Sequence, residues 1–214
     1  MIPRVVATAR SALVVAGLAL VVVTAGATPA AAHGLGGLKP TNYESRLVGV
    51  APSVRGIAIA VEDLGTKLQL TNHTGHDLIV LGYDREPYLR VGPRGVFENT
   101  RSPATSLNRT LIATAPPPSA DASAPPHWKR IGGGLSVRWH DHRTHYTGTE
   151  DPPVVARDRD HGHVITDWEV QVRDGARTVT ASGEIIWVPP PSPWPYVAGA
   201  LASALLLIGL SRTR

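Results

Sequence analysis

The sequence predicts a mostly β protein, a β-sandwich of short strands joined by turns and long loops. Two observations predict this class. Apolar and polar residues alternate in several short stretches, which is the pattern of strands with one buried face. The chain also contains 21 glycines and 19 prolines, residues that favour turns and interrupt helices. The expected fold therefore has many strands and few helices.

The N-terminal segment has the three parts of a secretory signal peptide. Arg4 and Arg10 form a basic region, residues 12–23 form an apolar region, and the three alanines at 30–32 form a cleavage signal of small residues. We predict a signal peptide over residues 1–32, with an uncleaved anchor as the alternative. Cleavage after Ala32 would make His33 the first residue of the mature chain.

The C-terminal segment predicts one transmembrane helix. Residues 194–210 are seventeen uncharged residues, which span about 26 Å as a helix. The aromatic residues at its start, Trp194 and Tyr196, suit a membrane interface. The arginines after its end, Arg212 and Arg214, are expected on the cytoplasmic side. We expect a proline-rich spacer at 189–193, a cytoplasmic tail at 211–214 and a single-pass cell-membrane protein with its N-terminal domain outside. The alternative is a buried C-terminal helix.

Residues 33–188 form the predicted extracytoplasmic domain. Its first half predicts strands at 55–61 and 67–71, separated by a turn at 62–65. A further turn precedes the apolar run 78–81, which suits a strand buried on both faces. This half is expected to form consecutive hairpins.

The second half follows a proline-rich loop at 113–126, which contains five prolines and almost no core residue. Beyond it, 135–142 is a predicted strand, and 168–188 is the clearest hairpin, with Asp174-Gly175 as its turn. We predict one immunoglobulin-like or cupredoxin-like sandwich interrupted by the loop. Two packed subdomains are the alternative.

Charge and cysteine content exclude two kinds of function. Four of the 21 basic residues lie in the terminal segments, and the remaining 17 equal the 17 acidic residues, so the exported part is formally neutral and we expect no nucleic-acid partner. Cysteine is absent, which excludes disulfides, thiolate metal sites and cysteine nucleophiles. Since no catalytic or nucleotide-binding motif occurs either, we expect no enzyme.

Histidines provide the main candidate site. If 135–142 is a strand, His140 and His142 share the face opposite Val137 and Trp139. His145 follows three residues later in the sequence. Two imidazoles at this spacing can reach one ion, and nitrogen donors suit copper(II), nickel or zinc. The alternative is a solvated strand face, with Asp141 and Arg143 in surface ion pairs.

Three further histidines are possible ligands. His161 and His163 repeat the same spacing in a more irregular segment, where ordinary loop residues are the alternative. After signal cleavage, His33 would offer its α-amine and its imidazole together, a chelate that suits copper(II). Otherwise it belongs to a glycine-rich terminus.

Aromatic residues outside this cluster have simpler interpretations. Four tryptophans are expected to anchor the core: Trp128, Trp139, Trp168 and Trp187. The segment 83–90 carries tyrosines among alternating charges, which describes either a docking surface or an ordinary edge strand. The proline loop is the other candidate docking segment.

The body resembles an uncharacterised actinobacterial family of exported proteins anchored by a single span. The likeness rests on residues 68–72, 82–90, 139–145 and 187–189, and it implies the layout of the chain without an activity. A looser similarity is to secreted copper-resistance β-sandwich proteins, whose mature chains also begin with histidine. The methionine-rich copper(I) motifs of some of those proteins are missing here.

Two hypotheses follow. The chain is a membrane-anchored envelope module that binds a partner protein through 83–90 or the proline loop. Alternatively it binds or delivers copper(II) or zinc through His33 and the His140/His142 cluster, with His145, His161 and His163 as further ligands.

Overall fold

The computed structural model describes residues 42–110 and 115–212. Ten strands and three helices make up this part of the chain. The strands are β1 Tyr43–Ala51, β2 Ile57–Glu62, β3 Lys67–Asn72, β4 Leu78–Leu81, β5 Pro87–Gly92, β6 Gly95–Asn99, β7 Trp128–Gly132, β8 Ser136–His140, β9 His163–Asp174 and β10 Arg177–Trp187. The helices are α1 Pro103–Leu107, α2 Pro153–Arg157 and α3 Trp194–Arg212, and a single 3-10 turn, Asp63–Gly65, follows β2.

The strands form two antiparallel sheets. One has seven strands in the order β1-β10-β9-β4-β5-β6-β7, and the other has three in the order β2-β3-β8. Each sheet combines strands from before and after the proline loop, since β4 pairs with β9 and β3 pairs with β8. The prediction of a mostly β fold with two sheets is confirmed, and the alternative of two subdomains does not describe this pairing.

One hydrophobic core contains side chains from both sheets. Leu68, Leu70 and Trp139 come from the small sheet, and Val80 and Val172 from the large one. Along β3 and β9 buried residues alternate with more exposed ones, which is the pattern that the sequence shows. Since burial of one large aliphatic side chain is worth about 1.5–3 kcal/mol, this shared core holds the sheets together.

Local sequence patterns predicted several elements correctly. The strands β2, β3 and β4 lie where alternation or apolar runs placed them. The C-terminal hairpin joins β9 and β10 through Gly175, whose φ of +61° suits glycine, as the Asp-Gly turn predicts. Three of the four tryptophans are core residues, whereas Trp128 is only half-buried and lies against the Arg90 guanidinium.

Two local predictions need correction. The strand β8 ends at His140, so His142 belongs to the following turn and not to the strand face. The strand β5 lies between β4 and β6, inside the large sheet, so it is not an edge strand.

The C-terminal segment is helical where the sequence predicted a helix, and the large apolar side chains of α3 are exposed. Within the residues that the structure describes, no helix is both long enough and apolar enough to cross a bilayer. Membrane attachment thus stays a prediction. The predicted signal peptide and His33 lie outside the described residues.

Candidate metal centre

Three histidines converge where β8 ends and a tight turn begins. His140 is the last residue of β8, opposite Lys67 of β3, and His142 and His145 lie in the turn that follows. The ring centroids are 4.7 Å apart for His140 and His142, 4.6 Å for His140 and His145, and 5.3 Å for His142 and His145. One potential ligand atom from each ring lies within 4.8 Å of the other two. The structure therefore brings together three of the six predicted ligands.

The turn is held by a fully buried carboxylate. Asp141 Oδ1 accepts hydrogen bonds from the backbone N–H of Arg143 at 3.1 Å and from its Nε at 2.8 Å. Asp141 Oδ2 accepts from Trp139 Nε1 at 2.9 Å and from an Arg143 terminal nitrogen at 2.7 Å. The alternative of a pair at the surface is wrong here, because the Asp141 side chain is fully buried and that of Arg143 is only 19% exposed.

Further contacts fix both ends of the turn. Thr144 is fully buried, and its hydroxyl donates to the Gly65 carbonyl at 2.6 Å and to the Asp141 carbonyl at 3.0 Å. The Tyr83 hydroxyl accepts from the His142 backbone N–H at 3.2 Å and donates to Asn108 Oδ1 at 2.5 Å. Side chains of this kind pre-organise the ligands in metal sites.

The tautomers of His142 and His145 follow from their backbone partners. His142 Nε2 lies 2.9 Å from the Leu107 carbonyl oxygen, and His145 Nδ1 lies 2.9 Å from the Asp141 carbonyl oxygen. A carbonyl only accepts, so a neutral ring carries its proton on the nitrogen that faces the carbonyl. The nitrogens with a lone pair available to a metal ion are thus His142 Nδ1 and His145 Nε2.

In His140, the Nε2 atom is buried without a hydrogen-bond partner. His142 Nδ1 is likewise buried and unpartnered. Buried polar atoms nearly always have a partner, and two such atoms in one cluster point to a missing ligand. His142 and His145 therefore each combine an N–H that faces a carbonyl with one available lone pair.

Burial disfavours the charged form of two of the three rings. Burial, followed by the proximity of His145 and His142, lowers the pKa of His140 to about 4. Burial also lowers the pKa of His145, and His142 contributes to that shift. Burial opposes ionisation of Asp141, but hydrogen bonds and the charge of Arg143 outweigh it and hold its pKa below the usual range. Neutral imidazole is the form that binds metal ions.

The other predicted ligands lie elsewhere. His161 Nδ1 bonds Asp158 Oδ1 at 2.8 Å, and His163 Nε2 bonds the Asp158 carbonyl oxygen at 2.7 Å. Neither belongs to the histidine cluster, which is the only group of three potential ligands in the described part of the chain. These two histidines are organised around Asp158 as local loop and strand contacts.

Several supporting residues escaped sequence reasoning. Asp141 and Thr144 are buried, although they stand in a segment of six polar residues after Trp139. Leu107 acts through its backbone carbonyl, which leaves no trace in residue type. Tyr83 lies in one of the segments that carry the family resemblance, but nothing in the sequence connects it with His142.

The candidate docking segment 83–90 is largely inside the domain. Tyr88 and Glu86 are buried, and Glu86 Oε1 accepts from the Ser102 hydroxyl at 2.5 Å. Only Asp84 and Arg85 of this segment are exposed. Tyr88 thus packs in the core.

Comparison of the chain with family models, curated proteins and solved structures found no match.

Proposed function

We propose that this domain binds a divalent transition-metal ion, copper(II) or zinc, through His140, His142 and His145. The observation that carries the proposal is the convergence of three imidazoles, two of which have a buried nitrogen without a hydrogen-bond partner. His142 and His145 also have their other nitrogen on a backbone carbonyl. Hydrogen-bond partners of this kind orient the histidine ligands of known metal sites.

The donor set decides the class of ion. Imidazole nitrogens suit zinc, copper, nickel and iron, whereas calcium and magnesium prefer oxygen ligands. Among divalent ions, affinity for nitrogen sites rises to copper and then falls to zinc. We therefore expect copper(II) to bind more tightly than zinc, and zinc to occupy the same three nitrogens.

Binding requires a small inward movement of the rings. Zinc–nitrogen bonds of about 2.0–2.1 Å in a tetrahedral site place two ligand nitrogens about 3.4 Å apart. In the structure, one nitrogen from each ring lies within 4.8 Å of one nitrogen from each of the other two.

Calorimetric titration of the metal-freed full chain with zinc and copper(II) tests the proposal. One ion per chain is expected, with a dissociation constant below about 1 µM. In His142→Ala the affinity should fall more than about 100-fold. Loss of a residue that only hydrogen-bonds to a ligand already costs about 10–100-fold in other metal sites.

His161→Ala is the matched control, because it removes an exposed histidine that lies outside the cluster. Its affinity should equal that of the unaltered chain. Circular dichroism of both variants separates loss of a ligand from loss of the fold. Equal weakening in both variants, or binding unaffected by His142→Ala, would refute the proposed site.

The location of the centre rests on the sequence. A signal peptide and a C-terminal anchor would place the domain outside the cell membrane, where it would bind or deliver a metal ion in the envelope. Docking of an envelope protein is the second function that this location suits, and the proline loop is its remaining candidate segment, because residues 115–126 are mostly exposed.

A further inference from the structure

We infer that the metal-loaded centre keeps one coordination position for an exchangeable small anion. This inference rests on the proposed function and deepens it, because it names the ligand that the bound ion would take from solution. It depends on the number of protein donors, on their charge and on access from solvent.

The protein supplies three donors and no fourth. Within the described residues, no further histidine, cysteine, aspartate or glutamate joins the cluster of His140, His142 and His145. The adjacent carboxylate, Asp141, is already saturated, since each of its oxygens accepts two hydrogen bonds. Zinc takes at least four ligands, and sites with three protein ligands bind water or substrate at the fourth position.

Charge favours an anion at this position. All three donors are neutral rings, so the bound dication keeps both of its charges. Arg143, which follows His142 in the chain, is paired with Asp141 at 2.7 Å, and the two charges cancel. In a partly buried setting an uncompensated dication strongly attracts a negative ligand.

Solvent can reach the cluster. Each of the three histidines is half-buried and not fully enclosed, in contrast to Asp141 and Thr144 beneath them. Part of each histidine thus stays in solvent, although the His140 Nε2 and His142 Nδ1 atoms are themselves buried. A small monodentate anion such as azide or thiocyanate fits these requirements.

Visible absorption of the cobalt(II)-loaded full chain tests the inference. Cobalt(II) accepts the same nitrogen donors, and its ligand-field bands report changes in coordination. Addition of azide or thiocyanate should shift these bands and reach saturation, whereas perchlorate at equal ionic strength should leave them unchanged. His161→Ala should respond like the unaltered chain.

The outcomes separate the two claims. If azide and thiocyanate leave the bands unchanged while one cobalt ion stays bound per chain, the inference of an open position is overturned. The proposed metal site is then still supported. A chain that binds no cobalt, zinc or copper would overturn both. Metal analysis after dialysis confirms that the ion stays bound in the presence of the anion.

Discussion

The Nε2 atom of His142 lies 2.9 Å from the carbonyl oxygen of Leu107, at the end of α1. This contact decides which nitrogen of the ring carries the proton, so it also decides which nitrogen can bind a metal ion. His142 is thereby expected to ligate through Nδ1, whereas His140 and His145 are expected to ligate through Nε2.

The tautomers of the metal-free chain should reflect these contacts. Long-range proton–nitrogen NMR spectra at neutral pH should show the Nε2–H tautomer for His142 and the Nδ1–H tautomer for His145, because each proton faces a carbonyl. The exposed ring of His73 serves as an internal reference. Opposite tautomers in the cluster would contradict the assignment of ligand atoms.

Asp141→Asn should strongly destabilise the domain. The substitution leaves the mostly buried Arg143 without its counter-charge, and breaking a buried pair in this way costs about 3–5 kcal/mol. Urea unfolding of the metal-free chain measures the change in free energy. Asp63→Asn is the control, since it removes an exposed carboxylate paired with Lys67 and should change the stability little. Similar effects of both substitutions would disprove the structural role of Asp141.

Tyr83→Phe should weaken the support of His142 while it preserves the ring. The lost hydroxyl accepts from the His142 backbone N–H and donates to Asn108, so we expect a loss of about 1–3 kcal/mol in unfolding free energy. Zinc affinity should fall as well, because the turn is less well fixed. In the control Tyr146→Phe the lost hydroxyl bond is exposed, and both quantities should stay nearly unchanged.

The stability of the metal-free chain should fall as the pH drops from about 6.5 to about 4. The pKa of His140 is about 4 in the folded chain and about 6.5 in an unfolded one, so protons bind preferentially to the unfolded state in this window. Below the folded pKa the loss is complete, and above pH 6.5 it is absent. Urea unfolding of the unaltered chain and of His140→Gln at several pH values isolates this contribution. Equal slopes for both chains would rule it out.

Gly65→Ala should destabilise the domain more than Gly175→Ala. Both glycines have a positive φ, but a β-carbon at Gly65 would lie 2.1 Å from Ser45 Cβ and 2.8 Å from the Thr144 carbonyl oxygen. Space around Gly175 is open, so only the cost of placing alanine in the left-handed region, about 1–2 kcal/mol, applies there. Thermal unfolding of both variants gives the comparison, and a milder effect at Gly65 would show that its surroundings relax.

The fold was predictable where the information is local. Alternation within a strand and the Asp-Gly turn identified the hairpin of β9 and β10, because both signals lie within about twenty residues. The partners of β1 and β7 were not predictable, since β1 pairs with β10 across most of the domain. Such pairings depend on the packing of the whole core and not on one segment.

The candidate site was predictable in part for the same reason. The spacing of His140 and His142 placed them together, although through a turn and not through a strand face. Whether His145 joins them could not be decided from spacing, because it depends on the turn that Asp141 and Thr144 hold from inside. The sequence of a polar segment does not distinguish the residues that are buried from those that are exposed. Only the contacts in the folded structure do.

X-ray absorption spectroscopy of the zinc-loaded full chain tests the central claim most directly. We predict one zinc ion with three imidazole nitrogens and one light exogenous ligand at about 2.0–2.1 Å, and fewer imidazoles in His142→Ala. A first shell without three imidazoles, or an identical spectrum for His142→Ala, would contradict the claim that His140, His142 and His145 form a metal centre.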